Sequence, residues 1–174
     1  MDTPIFVDLQ GFIVNEKFVT KEIAVLKSGK EITHHIFRAP MSWNLLTKAE
    51  KTQAFWLIAN HHQLKWNSGH VNYGSMKKLV RDAVCRGTSL DFTARVYVKG
   101  YEKKKWLIEI LENIEDRDVI IETIDADFDN IDRLETLNAS RALHCGYHAK
   151  NCALKNVCKL YNWWLERNNG LNNI

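Results

Sequence analysis

Three residues near the C-terminal end of the chain have side chains that bind soft or borderline metal ions. The segment 141–165 reads RALHCGYHAKNCALKNVCKLYNWWL and contains Cys145, His148 and Cys152. His148 and Cys152 are four positions apart, so they would share one face of a helix. Gly146 lets the chain turn just after Cys145. Thiolate and imidazole ligands in a four-coordinate arrangement are typical of zinc. The spacing therefore predicts that these three side chains converge on one zinc ion.

The overall composition is that of one globular domain inside the cell. The chain has 174 residues, of which 45% are hydrophobic and 26% charged, and its net charge is +3. This charge permits a nucleic-acid partner without requiring one. No apolar run is long enough to span a membrane, and the N-terminal residues do not have the pattern of a signal peptide. Clustered cysteines in such a chain indicate a reducing, cytoplasmic or nuclear location.

Hydrophobic periodicity predicts the elements that must position these ligands. We expect a single domain over 1–167 and a loose tail over 168–174. Five segments have the pattern of strands, of which the first three form an antiparallel meander: Pro4–Leu9, Phe18–Lys27, Glu31–Phe37, Ala94–Val98 and Val119–Ile124. Four segments have the pattern of helices: Leu46–His61, Tyr73–Cys85, Glu102–Glu112 and Ala149–Arg167. This order predicts an α/β fold with a mixed sheet and helices on both faces.

The same order, together with several motifs, resembles the DEDD exonucleases of the ribonuclease H-like superfamily. Residues 8–10 read Asp-Leu-Gln where these enzymes have Asp-x-Glu, and 22–25 read Glu-Ile-Ala-Val where they have Glu-Ile-Gly-x-Val. Residues 99–104 follow a strand where the family has a His-Asn-x-x-Phe-Asp type of motif. Residues 152–156 read Cys-Ala-Leu-Lys-Asn where the last helix has His-x-Ala-x-x-Asp. The resemblance implies a ribonuclease H-like fold.

The differences from the family pattern remove most of its catalytic carboxylates. Asp8 is in place, but Gln10 and Asn156 are neutral where the family has acids. The third acidic position falls among lysines, with Glu102 nearby. Two Mg²⁺ ions need several oxygen ligands, and one carboxylate cannot supply them. We therefore expect two-metal hydrolysis to be lost, with Asp8 and Glu102 as the leading candidate catalytic residues.

The zinc-ligand pattern resembles the Maelstrom domain, a DEDDh-exonuclease-like domain that has lost its acids and binds zinc through a Glu-Cys-His-Cys set. This chain has Glu22, Cys145, His148 and Cys152 in the same order and with the same Cys-x-x-His step. The resemblance implies a structural zinc with Glu22 as the fourth ligand, although His144 competes for that role. The gap from His148 to Cys152 is shorter than in that family, which indicates a related group.

Basic residues in the middle of the chain suggest what the domain binds. We predict that six side chains contact phosphates: Lys77, Lys78, Arg81, Lys99, Lys103 and Lys104. The leading hypothesis is a catalytically degenerate, zinc-stabilised domain that binds single-stranded RNA or a protein of RNA silencing. One alternative is an active RNA nuclease that uses Asp8 with Glu102, an acid of the 125–129 loop, or a metal-independent route. The other is a protein-interaction scaffold whose basic face is merely solvated.

Overall fold

A five-stranded mixed sheet is the centre of the molecule. The computed structural model describes residues 3–87, 93–112 and 119–171. The sheet has the order β3-β2-β1-β4-β5. Neighbours among the first three strands are antiparallel, whereas β4 pairs in parallel with β1 and β5 in parallel with β4. The strands are β1 (Ile5–Val14), β2 (Lys17–Lys27), β3 (Glu31–Ile36), β4 (Ala94–Val98) and β5 (Val119–Thr123).

Five α-helices accompany the sheet within the described ranges. They are α1 (Lys48–Asn60), α2 (Met76–Cys85), α3 (Tyr101–Ile110), α4 (Ile124–Asp127) and α5 (Ala153–Leu171). The predicted α/β class and the meander followed by parallel strands are confirmed.

The alternation of side chains along β1 separates two layers of the core. Ile5, Val7 and Leu9 pack with residues of α2 and α3 in one apolar cluster. Phe6 lies in a second cluster, which is built largely from α5. Asp8 and Gln10 share the parity of Phe6 and therefore point toward α5. The two buried polar residues of β1, Asp8 and Gln10, thus lie in the α5 layer.

The first strand is longer than its sequence pattern predicts. The predicted strand ends at Leu9, but Gln10 and Gly11 form a β-bulge, beyond which pairing with β2 continues to Val14. A side chain at Gly11 would place its Cβ 1.9 Å from the carbonyl oxygen of Val19. Glycine is therefore required by the close approach of the two backbones, and it does not end the strand.

The last helix also differs from prediction at both ends. It begins at Ala153 instead of Ala149, and it continues to Leu171 through part of the segment assigned to a loose tail. Asn151 has a left-handed φ of 52°, which prevents the helix from starting earlier. At the other end, Asn168 Nδ2 donates to the carbonyl of Trp164 at 2.7 Å. Residues 172–174 of the predicted tail lie outside the described residues.

Candidate metal centre

Four potential ligands meet between β2 and the start of α5. One ligand atom from each of Glu22, Cys145, His148 and Cys152 lies within 4.8 Å of all the others. Among the described residues, no other group of three or more His, Cys, Asp or Glu side chains is this close together. The sequence-predicted convergence of the three C-terminal residues is therefore found, and Glu22 joins them.

The local geometry that brings the three C-terminal ligands together is a loop and not a helical face. Cys145 and His148 lie in the loop before α5, and Cys152 immediately precedes the helix. Gly146, with φ of 80°, turns the chain between the first two ligands. The four-residue spacing predicted a shared helical face, and that prediction is wrong because the left-handed turn at Asn151 separates His148 from the helix.

Glu22 is fully buried. Its carboxylate contacts two amide N–H groups and two histidine rings. Its Oε1 accepts from Gln10 Nε2 at 2.5 Å and from the backbone N–H of Ala153 at 2.9 Å. Its Oε2 lies 2.8 Å from His34 Nε2 and 2.7 Å from His148 Nε2. A buried carboxylate needs such donors, because burial without them is costly. The carboxylate is therefore held in one orientation, with Oε2 toward the cysteine and histidine ligands.

The charges of these groups depend on one another. Burial raises the pKa of Glu22, but hydrogen bonds from His148 and His34 outweigh burial and lower it to about 2. Burial lowers the pKa of His148, but Cys152 and Glu22 outweigh burial and raise it to about 11. Burial raises the pKa of the Cys152 thiol, but its hydrogen bond with His148 outweighs burial and lowers it to about 7. The site therefore favours a carboxylate, a thiolate and a positive charge close together.

The competing fourth ligand is on the surface. His144 is exposed and does not belong to the group, whereas Glu22 has no exposed surface. The cysteines expected in the core are buried: Cys85 is 4% exposed and Cys158 is 9% exposed. Cys85 belongs to the apolar cluster that packs β1 against α2 and α3, and Cys158 is buried on α5.

Asp8, the candidate catalytic acid, is in a different environment. It is fully buried, with an ion pair from Lys103 Nζ to Oδ1 and a hydrogen bond of 2.7 Å from Asn156 Nδ2 to Oδ2. Glu102, the other candidate, is exposed in the first turn of α3. Within the described ranges, Asp8 belongs to no group of three potential metal ligands.

The six predicted phosphate-binding residues divide into two groups. Three are paired with acids: Lys99 with Asp125, Lys103 with Asp8, and Lys104 with Glu122. The other three are exposed on α2: Lys77, Lys78 and Arg81. The positive charge of the first group is therefore largely neutralised within the chain. Two acids of the 125–129 loop are likewise engaged, because Asp125 pairs with Lys99 and Asp127 pairs with Arg95 at 2.6 Å.

Two residues that hold the site were not predicted from the sequence. Gln10 lies directly opposite Glu22 in the β1–β2 register, and His34 pairs with Ala24, two residues away from Glu22 on the same face. The predicted turn at Ser28 and Gly29 sets this register. Because diagonal neighbours on one face of a sheet interact, extending the hairpin from its turn would have placed His34 beside Glu22.

Comparisons with known proteins add no further identification. No protein-family model matches the chain, and neither a curated protein nor a solved structure matches it. In the part of the chain that the structure describes, no helix has both the length and the apolar character to cross a membrane. Function must therefore be argued from the residues of the site itself.

Proposed function

We propose that this chain is a catalytically silent, ribonuclease H-like domain with one structural zinc ion, and that it binds RNA or a protein of RNA silencing. The observation that carries the zinc assignment is the convergence of four ligand atoms within 4.8 Å. The strand order and the motifs at 8–10, 22–25 and 152–156 support the proposed ribonuclease H-like fold. The wider function follows from this resemblance and from the exposed cations.

The donor set fits zinc better than a hard cation. Two sulfurs, one imidazole nitrogen and one carboxylate oxygen form a complete tetrahedral set for Zn²⁺, whereas Mg²⁺ and Ca²⁺ require oxygen ligands. His148 Nδ1 donates to the carbonyl of Lys150 at 3.0 Å, which leaves Nε2 as the ligand atom. Glu22 and Cys152 are buried. A closed four-ligand set of this kind is typical of a structural site and not of a catalytic one.

The zinc ion would connect parts of the chain that are far apart in sequence. His148 and Glu22 are separated by 126 residues, yet their side chains are 2.7 Å apart. The ligands tie the loop before α5 to the middle of β2, and α5 covers one face of the sheet through its apolar cluster. Metal binding of this kind contributes directly to folding free energy. Zinc would therefore stabilise the docking of α5.

The environment of Asp8 supports the absence of two-metal hydrolysis. Its carboxylate is neutralised by Lys103, and the amide of Asn156 occupies its other oxygen. A cation that bound there would have to displace the half-buried ammonium group of Lys103. Gln10 is also engaged, since its Nε2 contacts both Glu22 and the carbonyl of Asn151. These contacts favour a silent domain over the nuclease alternative.

Elemental analysis of the purified protein tests the zinc assignment. We expect one zinc per chain, and we expect Cys145→Ser and Cys152→Ser to lose it. Cys158→Ser is the matched control, because Cys158 is a buried cysteine of α5 that is outside the ligand group. Absence of zinc from the native protein, or retention of full zinc by Cys152→Ser, would show that the assignment is wrong.

A cleavage assay tests catalytic silence separately. Labelled single-stranded RNA is incubated with the zinc-loaded protein in Mg²⁺, in Mn²⁺ and in EDTA, and we expect no cleavage in any of them. Cleavage that requires Mg²⁺ or Mn²⁺ and disappears in Asp8→Asn would establish the nuclease alternative. Cleavage that persists in EDTA would establish a metal-independent route.

A further inference from the structure

The acidic residues are distributed very unevenly along the chain. The segments 32–49, 51–81 and 136–165 contain no Asp or Glu, although they hold eleven of the 24 Lys and Arg residues and all seven His residues. By contrast, 102–135 contains twelve of the 21 acids. Charge asymmetry of this kind marks a surface suited to polyanions. The net charge of the whole chain is only +3 and does not reveal this uneven distribution.

The structure brings the three acid-free segments together beside residues 141–152, which carry Cys145, His148 and Cys152 and which we call the metal loop. The rings of His70 and Tyr147 are 5.1 Å apart. The backbone N–H of Lys150 donates to Gln63 Oε1 at 3.3 Å, which joins the second and third segments again. The backbone N–H of Arg38 donates to the carbonyl of Val71 at 2.8 Å and joins the first segment to the second. The acid-free character is therefore a property of one continuous region.

Several acids adjoin this region and are hydrogen-bonded to it: Glu50 accepts from the backbone N–H of Thr47 at 2.8 Å, and Glu166 Oε1 accepts from Asn138 Nδ2 at 2.6 Å. Glu22 is fully buried beneath it and is held by Gln10, Ala153 and two histidines. Glu135 acts on the margin, where its charge influences His61. The lysines that are neutralised by acids, Lys99, Lys103 and Lys104, lie in or just before α3. The cations beside the metal loop face solvent without such partners in the same segments.

An exposed aromatic side chain lies in the middle of this region. Tyr147 is 62% exposed and adjoins the ligand His148, and its ring lies 5.1 Å from the ring of His70. Proteins that bind single-stranded nucleic acids combine a solvent-exposed aromatic ring, on which a base stacks, with basic residues that contact the phosphates. The segment that carries Tyr147 also carries the exposed basic residues Arg141 and Lys150. An acidic protein would need the cations but not the open ring.

We propose that this region binds single-stranded nucleic acid, with a base stacked on Tyr147 and His70 and with phosphates contacting Arg38, Arg141 and Lys150. All five residues are exposed, and we call them the metal-loop surface. The proposal deepens the proposed function and rests on it, since the metal loop carries Arg141, Tyr147 and Lys150. It also places binding away from the α3 lysines, whose charges are neutralised.

Fluorescence anisotropy with a labelled single-stranded oligouridine tests the surface. In the zinc-loaded protein we expect Tyr147→Ala to weaken binding about 5- to 150-fold, the range that loss of one stacked base produces. Tyr147→Phe keeps the ring and should bind like the native protein. A duplex of the same length should bind more weakly, because its bases are already stacked on one another.

A pair of charge variants tests the phosphate contacts. The double variant R141Q/K150Q should weaken binding and reduce the slope of log affinity against log salt by about 0.7 for each lost contact. The matched control is K30Q/K105Q, which removes two exposed lysines that lie outside the acid-free segments. The control should bind nearly as well as the native protein.

Zinc content measured on every variant separates the two proposals. If the variants and the native protein all hold zinc but none binds the oligonucleotide, the metal-loop surface is refuted and the zinc assignment stands. Equal losses of oligonucleotide affinity in R141Q/K150Q and K30Q/K105Q would also refute the metal-loop surface. Binding of poly-glutamate as tight as that of the oligonucleotide, and unaffected by Tyr147→Ala, would assign the surface to an acidic protein instead. Lack of zinc in the native protein would refute the proposed function on which the surface rests.

Discussion

Two buried carboxylates on neighbouring strands of this protein have their negative charges compensated in different ways. Asp8 of β1 and Glu22 of β2 are both fully buried and both point toward α5. Asp8 receives an ammonium group from Lys103 and an amide from Asn156. Glu22 receives amide and imidazole donors and lies among thiols. The chain therefore neutralises the first carboxylate itself and leaves the second with the ligands of a metal ion.

The comparison shows that one face of a sheet can bury two carboxylates in different electrostatic environments. A buried charge must be compensated, and a lysine and a metal ion are two ways of doing so. Once Lys103 compensates Asp8, that position no longer attracts a divalent cation. At Glu22 the neighbouring side chains are two cysteines and two histidines, so a divalent cation bound there would balance the negative charge of the carboxylate.

The largest expected effect is that of losing the metal. Structural zinc contributes about 10–16 kcal/mol of apparent binding free energy in small domains, so Cys152→Ser or chelation should unfold the chain or greatly lower its melting temperature. Thermal unfolding followed by circular dichroism, with and without a strong zinc chelator, measures this. A Cys152→Ser protein with unchanged melting temperature and undiminished zinc would contradict the role given to the metal.

The next effect should come from removing the internal cation. Lys103→Met leaves Asp8 buried and unpaired, which should lower the free energy of unfolding by about 3–5 kcal/mol. The double variant D8N/K103M removes the uncompensated charge and should recover most of that loss. Urea denaturation measures all three proteins, and Lys105→Met controls for loss of an exposed lysine from the same helix. A loss of stability as small as that of the control would mean that Asp8 is compensated in another way.

A smaller effect is expected from the histidine that orients Glu22. His34→Ala removes the donor to Glu22 Oε2, which lies 2.8 Å from His34 Nε2. Loss of such an outer contact reduces metal affinity by about 10- to 100-fold. Competition with a chromophoric chelator measures it, and His34→Gln should restore part of the affinity. The neighbouring His35, whose ring packs with Phe37 on the other face, is the control, and an equal loss in His35→Ala would show that the effect is not specific.

The smallest effect should come from an ion pair that is open to solvent. Lys104 and Glu122 are 2.8 Å apart, with side chains 24% and 29% exposed. Exposed pairs contribute about 0–1 kcal/mol, so Lys104→Ala should change the free energy of unfolding by no more than that. Measured beside Lys103→Met, it compares a buried and an exposed pair on adjacent residues of one helix. Equal losses of unfolding free energy in Lys103→Met and Lys104→Ala would show that the two ion pairs contribute equally to stability.

Much of the architecture could be predicted because it depends on short-range patterns. Alternating apolar residues specify the strands, and the turn at Ser28 and Gly29 sets the β2–β3 register. The boundaries were less predictable where tertiary contacts override the pattern. The glycine at position 11 looked like a break but permits a bulge, and the helix expected from Ala149 is delayed by the turn at Asn151.

The sequence by itself determined which side chains are available to a metal, because cysteine and histidine types and their spacing are local properties. It also determined that carboxylates are missing where the resemblance to exonucleases expects them. Only the tertiary structure decided that Glu22 and not His144 joins the group, and that Lys103 compensates Asp8 across 95 residues. The physical reason is that such partners are chosen by the packing of β1, β2 and α5 on one face of the sheet, which no local spacing encodes.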